Sequence, residues 1–289
     1  MSVQVQDLLA TTFERLSVLS ETPVLDAQVL LAHVLGKPRT WLLAHPEVNP
    51  DASETLRLEA LMRRLEGGEV LPYLLGHQEF FGLDFDVTPD VLIPRPETEL
   101  LVESAVAWLG AKPDRRTVAD VGTGCGCIAI CLAHSISDVR VLATEISRPA
   151  LRVAAANSRK HRVSERIDLL QCDLLPSCAE GLPTDRYFDL VCANLPYIPS
   201  ATLHQLPIYG REPTVALDGG IDGLDLVHRL LSLAPDWLAP HGLILLEIEA
   251  SQGNQALSLA YDAFSESTIH LHQDLTGRDR LLEIIPPDK

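Results

Sequence analysis

Basic residues are scarce in this sequence. Lys and Arg total 23 of 289 residues against 40 Asp and Glu, for a net charge of −17. So acidic a chain repels phosphate backbones, which excludes non-specific nucleic-acid binding as its main business. Long apolar runs are missing too: none approaches the ~20 residues that cross a bilayer. The segment Met1–Leu16 carries Asp7 and Glu14 and lacks a basic start followed by an apolar block, so no secretory signal is read and a cytoplasmic location is expected. Cysteine is sparse, at Cys125, Cys127, Cys131, Cys172, Cys178 and Cys192. The first three admit a zinc reading, yet no His or fourth Cys lies at ligand spacing. Small buried hydrophobes in a reducing compartment, with no metal, are expected instead. No internal repeat or low-complexity segment is present. With 46% hydrophobic and 22% charged residues, the composition is that of a globular protein long enough for two domains.

The first 70 or so residues read as helices. Val5, Leu8, Leu9, Thr12, Phe13 and Leu16 follow helical spacing. Pro23 opens a second amphipathic run through Leu31 and Val34, stopped by Gly36 and Pro38. A third starts near Asp51, with Glu54 as its capping-box partner, and ends at Gly67-Gly68. The period then changes. Phe81, Leu83, Phe85 and Val87 alternate with polar or small residues, Thr88-Pro89-Asp90 reads as a turn, and Val91–Ile93 as the returning strand of a hairpin.

From Pro94 onward strand and helix signals alternate, which predicts an α/β domain. Strands are expected at Thr117–Val121, Val139–Thr144, Ile167–Leu170, Phe188–Ala193 and Leu243–Ile248, with Thr268–Leu271 and Arg280–Ile285 closing a seven-stranded mixed sheet. Ala150–Ser158 is one expected helix, and Tyr197–Gly223 a long loop of the kind that carries function. The domain plan is therefore residues 1–70 helical, 71–93 a β-hairpin linker and 94–289 the α/β domain.

Chemistry concentrates where the strands end. The first is followed by Gly122-Thr123-Gly124-Cys125-Gly126, whose glycines let backbone approach a ligand at a helix N-terminus. Taken alone this is a tight turn, and its spacing is not that of dinucleotide binders. The second strand ends in Glu145, able to accept both ribose hydroxyls of a nucleoside. Asp173 follows the third, suited to an adenine amino group, with Leu174 to pack on the ring. These ends converge on the crevice where open α/β sheets bind ligands. Two other clusters carry less. Asp218–Gly223 has the look of a calcium loop, but Arg229 occupies the position of its bidentate Glu. His270 and His272 share a strand face without a further ligand.

The fourth strand ends in Asn194-Leu195-Pro196-Tyr197, which resembles the Asn/Asp-Pro-Pro-Tyr signature of methyltransferases acting on a planar nitrogen. Such a nitrogen is a poor nucleophile because its lone pair is delocalised. The Asn194 side-chain oxygen and the Leu195 carbonyl would accept its N–H groups, and Tyr197 would pack on the flat group. Leu195 stands where Pro is usual but keeps the carbonyl, and Pro196 still disfavours helical geometry at Leu195.

Further segments narrow the resemblance. Pro72–Gly76, Glu79–Gly82, Ile93-Pro94-Arg95-Pro96-Glu97-Thr98-Glu99, Glu212-Pro213, Leu217–Gly220, Asp222–Leu224, Glu247–Glu249 with Gln252, and Asp274 through Arg280 are together similar to the HemK/PrmC family. Glu249 departs from the usual Gly, and Glu145 stands where Asp is common. Arg95, Glu97 and Glu99 would shape the active-site entrance or form a charge cluster at a helix start. The resemblance implies a Rossmann-like class I methyltransferase domain with S-adenosylmethionine as methyl donor, bound by Gly122, Thr123, Gly124, Cys125, Gly126, Glu145, Asp173, Leu174 and Asn194. Asn194, Leu195, Pro196 and Tyr197 would be the catalytic tetrapeptide. The implied acceptor is the Gly-Gly-Gln glutamine of peptide-chain release factors, at N5. The expected partner is a folded protein docked on residues 1–70, with no direct nucleic acid, no membrane and a monomeric chain. The alternatives are a ribosomal-protein glutamine methyltransferase, an adenine-N6 methyltransferase, which would need a basic groove, and a non-catalytic helical adaptor.

Overall fold

The computed structural model describes residues 3–176 and 188–287, so Cys178 lies outside the described residues. The chain divides into two compact units, Met1–His77 and Gln78–Lys289.

The first unit is helical: α1 (Val5–Leu16), α2 (Pro23–Leu35), α3 (Arg39–Ala44), α4 (Ala52–Glu66) and α5 (Leu71–Leu75). Local chemistry sets several of its boundaries. Pro23 opens α2 and Gly36, with φ +60°, closes it in the left-handed region. The Asp51 carboxylate accepts the Glu54 N–H at 2.8 Å while Glu54 accepts that of Asp51 at 2.7 Å, a reciprocal cap on α4. Val5, Leu30, Leu31, Leu42, Leu58 and Met62 form the core. Phe13, expected on the apolar stripe, is 39% exposed. Two short helices went unread, α3 and α5. The second occupies residues assigned by pattern to the hairpin linker.

The hairpin itself is displaced from its expected position. Its strands are β1 (His77–Phe80) and β2 (Leu83–Asp86), and Val91–Ile93 does not return as a strand. The two residues between them, Phe81 and Gly82, have φ +52° and +71°. Positive φ at both central residues matches the twist of paired strands, so the chain reverses there. Thr88–Val91 is still a turn, closed by Val91 N–H to the Thr88 carbonyl at 3.1 Å.

The rest of the second unit runs α6 (Glu99–Ala111), β3 (Thr117–Val121), α7 (Cys127–Ser135), β4 (Arg140–Glu145), α8 (Arg148–Lys160), β5 (Ile167–Gln171), β6 (Phe188–Ala193), α9 (Ser200–Leu203), α10 (Asp225–Leu233), β7 (Leu238–Glu247), α11 (Gly253–Ala263), β8 (Thr268–Gln273) and β9 (Asp279–Ile285). The seven-stranded sheet has the order β5-β4-β3-β6-β7-β9-β8. Neighbours from β5 to β7 are parallel, and β9 runs antiparallel to β7 and β8. Side chains alternate along β6: Leu190 and Cys192 join the core under α6 and α7, Val191 and Ala193 the core under α10 and α11. The order reverses between β3 and β6, so the loops after them part and leave a crevice at their C-terminal ends.

Candidate active site

A cavity of about 710 Å³ fills that crevice. Of the residues expected to form the site, Gly122, Gly124, Glu145, Asp173 and Leu174 line it, as do Asn194, Leu195 and Pro196. Thr123, Cys125, Gly126 and Tyr197 are not among the lining residues.

Hydrogen bonds make the glycine turn rigid. The N–H groups of Gly122 and Thr123 both donate to the Thr144 carbonyl at 2.9 Å. The Thr123 hydroxyl donates to Asp120 Oδ2 at 2.6 Å, and the same oxygen accepts the Ala129 N–H at 3.1 Å. Asp120 stands in β3, two residues before the glycine turn. It is fully buried, and burial pushes its carboxyl up to about 6. The Cys125 carbonyl accepts from Asn157 Nδ2 at 2.9 Å, so Cys125 serves the wall through its backbone. Gly126 caps α7 with φ +89°.

Gly124 is the position open to a ligand. Its φ is +57°, and a Cβ placed there would meet nothing within 4 Å, although the residue lines the cavity. Its N–H donates to Glu145 Oε2 at 3.0 Å, and the other oxygen of Glu145 accepts the Ser147 N–H at 2.9 Å. Each carboxylate oxygen retains acceptor capacity after one such bond. Glu145 therefore keeps acceptor capacity at the cavity wall beside the open backbone of Gly124, a pairing that fits a polyhydroxyl ligand such as a nucleoside sugar.

Asp173 has a partner that sequence did not foresee: Arg229 on α10 donates to its Oδ2 at 2.7 Å. Leu174, a non-glycine residue at φ +63°, is held in the left-handed region at the cavity wall.

At the end of β6, Asn194 Nδ2 donates to Thr98 Oγ1 at 2.9 Å. That commits the nitrogen of the amide and leaves its oxygen as the end available to a cavity ligand. Leu195 is buried in the core beside Gly122. Behind them, Gln252 Nε2 donates to the Tyr197 carbonyl at 2.9 Å, and a Cβ on Gly223 would stand 2.2 Å from that same carbonyl. Burial pushes the Tyr197 phenol up to about 12, so it stays neutral. In the motif preceding α6, Glu97 and Glu99 stand in helical first turns, one of the two arrangements expected of them. Arg95 pairs with the buried Glu212, which also accepts the Ile93 N–H at 3.2 Å, and Glu99 accepts the Phe81 N–H at 2.8 Å. Thr98, not its charged neighbours, reaches Asn194. Thr98, Glu212 and Gln252 all lie in the sequence motifs named above, but only their burial at 6% exposure or less marks them as braces.

A mixed sheet of this order, with a glycine turn after its central strand and a cavity at the switch point, is the class I methyltransferase fold. A solved human methyltransferase 10 domain containing protein shares it at TM-score 0.51 and 20% identity, over 72% of this chain and 90% of that one. Residues 7–76 match the PrmC N-terminal domain and residues 97–205 the methyltransferase small domain. A release factor glutamine methyltransferase from Moorella thermoacetica is 44% identical over 261 residues, 90% of each chain. Its counterpart from Rhodopirellula baltica is 37% identical over 92% of this chain and 90% of its own. The chain belongs to the release factor glutamine methyltransferase family.

Proposed function

We propose that the chain transfers a methyl group from S-adenosylmethionine to the side-chain amide nitrogen, N5, of the glutamine in the Gly-Gly-Gln tip of peptide-chain release factors. The observation that carries this reading is Asn194: it lines the cavity next to Leu195 and Pro196, with its amide nitrogen engaged by Thr98.

When bound, S-adenosylmethionine would supply an electrophilic methyl group on a sulfonium; transfer would leave S-adenosylhomocysteine, and one amide proton would pass to water. Glu145 would hold its ribose hydroxyls, the backbone at Gly122 and Gly124 would admit its amino-acid end, and Leu174 would pack on its base. Asp173 is suited to the adenine amino group once Arg229 yields. Asn194 Oδ1 and the Leu195 carbonyl would accept the two N–H bonds of the glutamine amide, fixing its plane and raising electron density on nitrogen. Positioning of this kind supplies most of the acceleration a transfer between two held groups needs. Tyr197, which does not line the cavity, would support the tetrapeptide more than face the amide.

The net charge of −17 favours a folded protein as partner over nucleic acid. Residues 1–70 are read as the docking domain for the release factor and the chain as a cytoplasmic monomer. Among the described residues no helix is long and apolar enough to cross a membrane. Incubation with labelled methyl donor and purified release factors, followed by mapping of the labelled residue, tests the function. Label on the Gly-Gly-Gln glutamine is expected; label on RNA, on a ribosomal protein, or on nothing overturns the reading.

A further inference from the structure

Glu247 ends β7, and it is 2% exposed. The parallel register pairs Ala193 with Leu246, so Glu247 lies beside Asn194 at the ends of adjacent strands. Neither of its oxygens is satisfied by a hydrogen bond, though both are buried. A carboxyl kept dry in this way is costly unless its burial serves the site. The side chains of Thr98 and Asn194 lie near enough to favour its ionised form, short of a closed hydrogen bond to either oxygen. Thr98 is likewise 2% exposed, and its hydroxyl already accepts from Asn194 Nδ2. The hydrogen of that hydroxyl needs an interior acceptor.

We propose that Glu247 is a positioning residue that sets, through Thr98, which end of the Asn194 amide faces the cavity. The inference rests on the methyl-transfer reading above. An asparagine amide fits almost equally well turned over, because oxygen and NH₂ are of similar size. Turned one way it accepts from a substrate N–H; turned the other it presents a donor to a donor. A threonine hydroxyl can serve either orientation, since it both accepts and donates. An ionised carboxylate can only accept. It draws the Thr98 hydrogen toward itself and leaves the hydroxyl lone pairs for Asn194 Nδ2, so Asn194 Oδ1 faces the cavity. A protonated Glu247 can instead donate to Thr98. The Thr98 hydrogen is then free for Asn194, and the reversed amide becomes competitive.

The groups that set the balance come from three sides. Burial and Glu97, ahead of α6, favour the neutral form; Arg280 on β9 favours the ionised one; and Tyr197, after β6, shares the neighbourhood. Together they push Glu247 up to about 7.

The test follows kcat, the KM for release factor and the calorimetric Kd for S-adenosylmethionine from about pH 6 to about pH 9. In the parent chain kcat should rise through one ionisation while the Kd stays flat. Glu247→Gln keeps shape but cannot ionise, so the rise should vanish. Thr98→Val removes the relay hydroxyl without changing size and should lower kcat about tenfold at unchanged donor Kd. Thr98→Ser should recover most of that loss, which a purely structural role for the threonine methyl would not produce. A Glu247→Gln chain with the parent's pH profile, or Thr98→Val with the parent's kcat, overturns the inference while leaving the function intact. A parent chain that binds donor but labels no release factor overturns the function itself, and the inference with it.

Discussion

The Glu145 carboxylate accepts the N–H of Gly124 at 3.0 Å, across the gap between the ends of β4 and β3. The acid read as a ribose acceptor and the glycine read as a cradle are thus one unit, each holding the other in place. Glu145→Ala should therefore weaken S-adenosylmethionine binding by more than one lost hydrogen bond, on the order of a hundredfold, because the Gly124 turn loosens as well. Glu145→Gln should retain an acceptor for the turn and lose less. Calorimetry on both variants checks the order.

Gly124→Val should abolish donor binding in a folded chain. The branched side chain would fill open cavity space and force a residue that disfavours φ +57° into that conformation. Unchanged donor affinity in a variant with native circular dichroism would falsify the cradle.

Asn194→Ala should lower kcat on a release factor by roughly a hundredfold, the usual effect of losing one hydrogen bond made in the transition state. Donor affinity should fall far less than kcat, because Asn194 is only one of the nine residues expected to hold the donor. Asn194→Asp keeps an acceptor oxygen and should retain partial activity. Leu195→Pro preserves the carbonyl and should keep most of the turnover, yet Leu195 is 4% exposed in the core, and losing its side-chain volume should cost about 1–3 kcal/mol of stability. Single-turnover rates and thermal melts separate the two effects.

Glu247→Gln makes a second, independent prediction, on stability. The folded carboxyl sits at about 7 against an ordinary 4.5, so the fold prefers its neutral form. The associated stability is fully present below the unfolded value and is lost as pH rises through about 7. The shift corresponds to about 3 kcal/mol, so Glu247→Gln should melt higher than the parent above about pH 8 and show little advantage near pH 4. A constant difference in Tm across that range would remove the buried-acid assignment.

Removing unit Met1–His77 should raise the KM for release factor far more than the Kd for donor, because that unit has its own core and the cavity is lined wholly by the other. Full-rate methylation of intact release factor by the remaining chain would end the docking role.

Local features were legible in the sequence because their chemistry spans one turn or one strand. The Asp51–Glu54 cap joins residues three apart, Pro23 and Gly36 bracket α2 by their own backbone preferences, and β3 and β6 are short, mostly apolar runs buried on both faces. The glycine turn, Glu145 and the Asn194 tetrapeptide could likewise be placed at strand ends before any coordinate was known. The hairpin could not. Its reversal depends on positive φ at Phe81, which a phenylalanine does not advertise, so the alternating pattern starts inside the turn and puts the returning strand at Val91–Ile93. What holds the site together was beyond reach for a different reason. Thr98 and Asn194 are 96 residues apart, Gln252 and Tyr197 55 apart, and Arg229 on α10 meets Asp173 from 56 residues away. Glu247 stands beside Asn194 only because β7 is the parallel neighbour of β6, and strand order is a property of packing that no periodicity along the chain encodes. Sequence determined which groups stand at the strand ends; the folded sheet decided which of them touch, and so which end of the Asn194 amide meets a ligand.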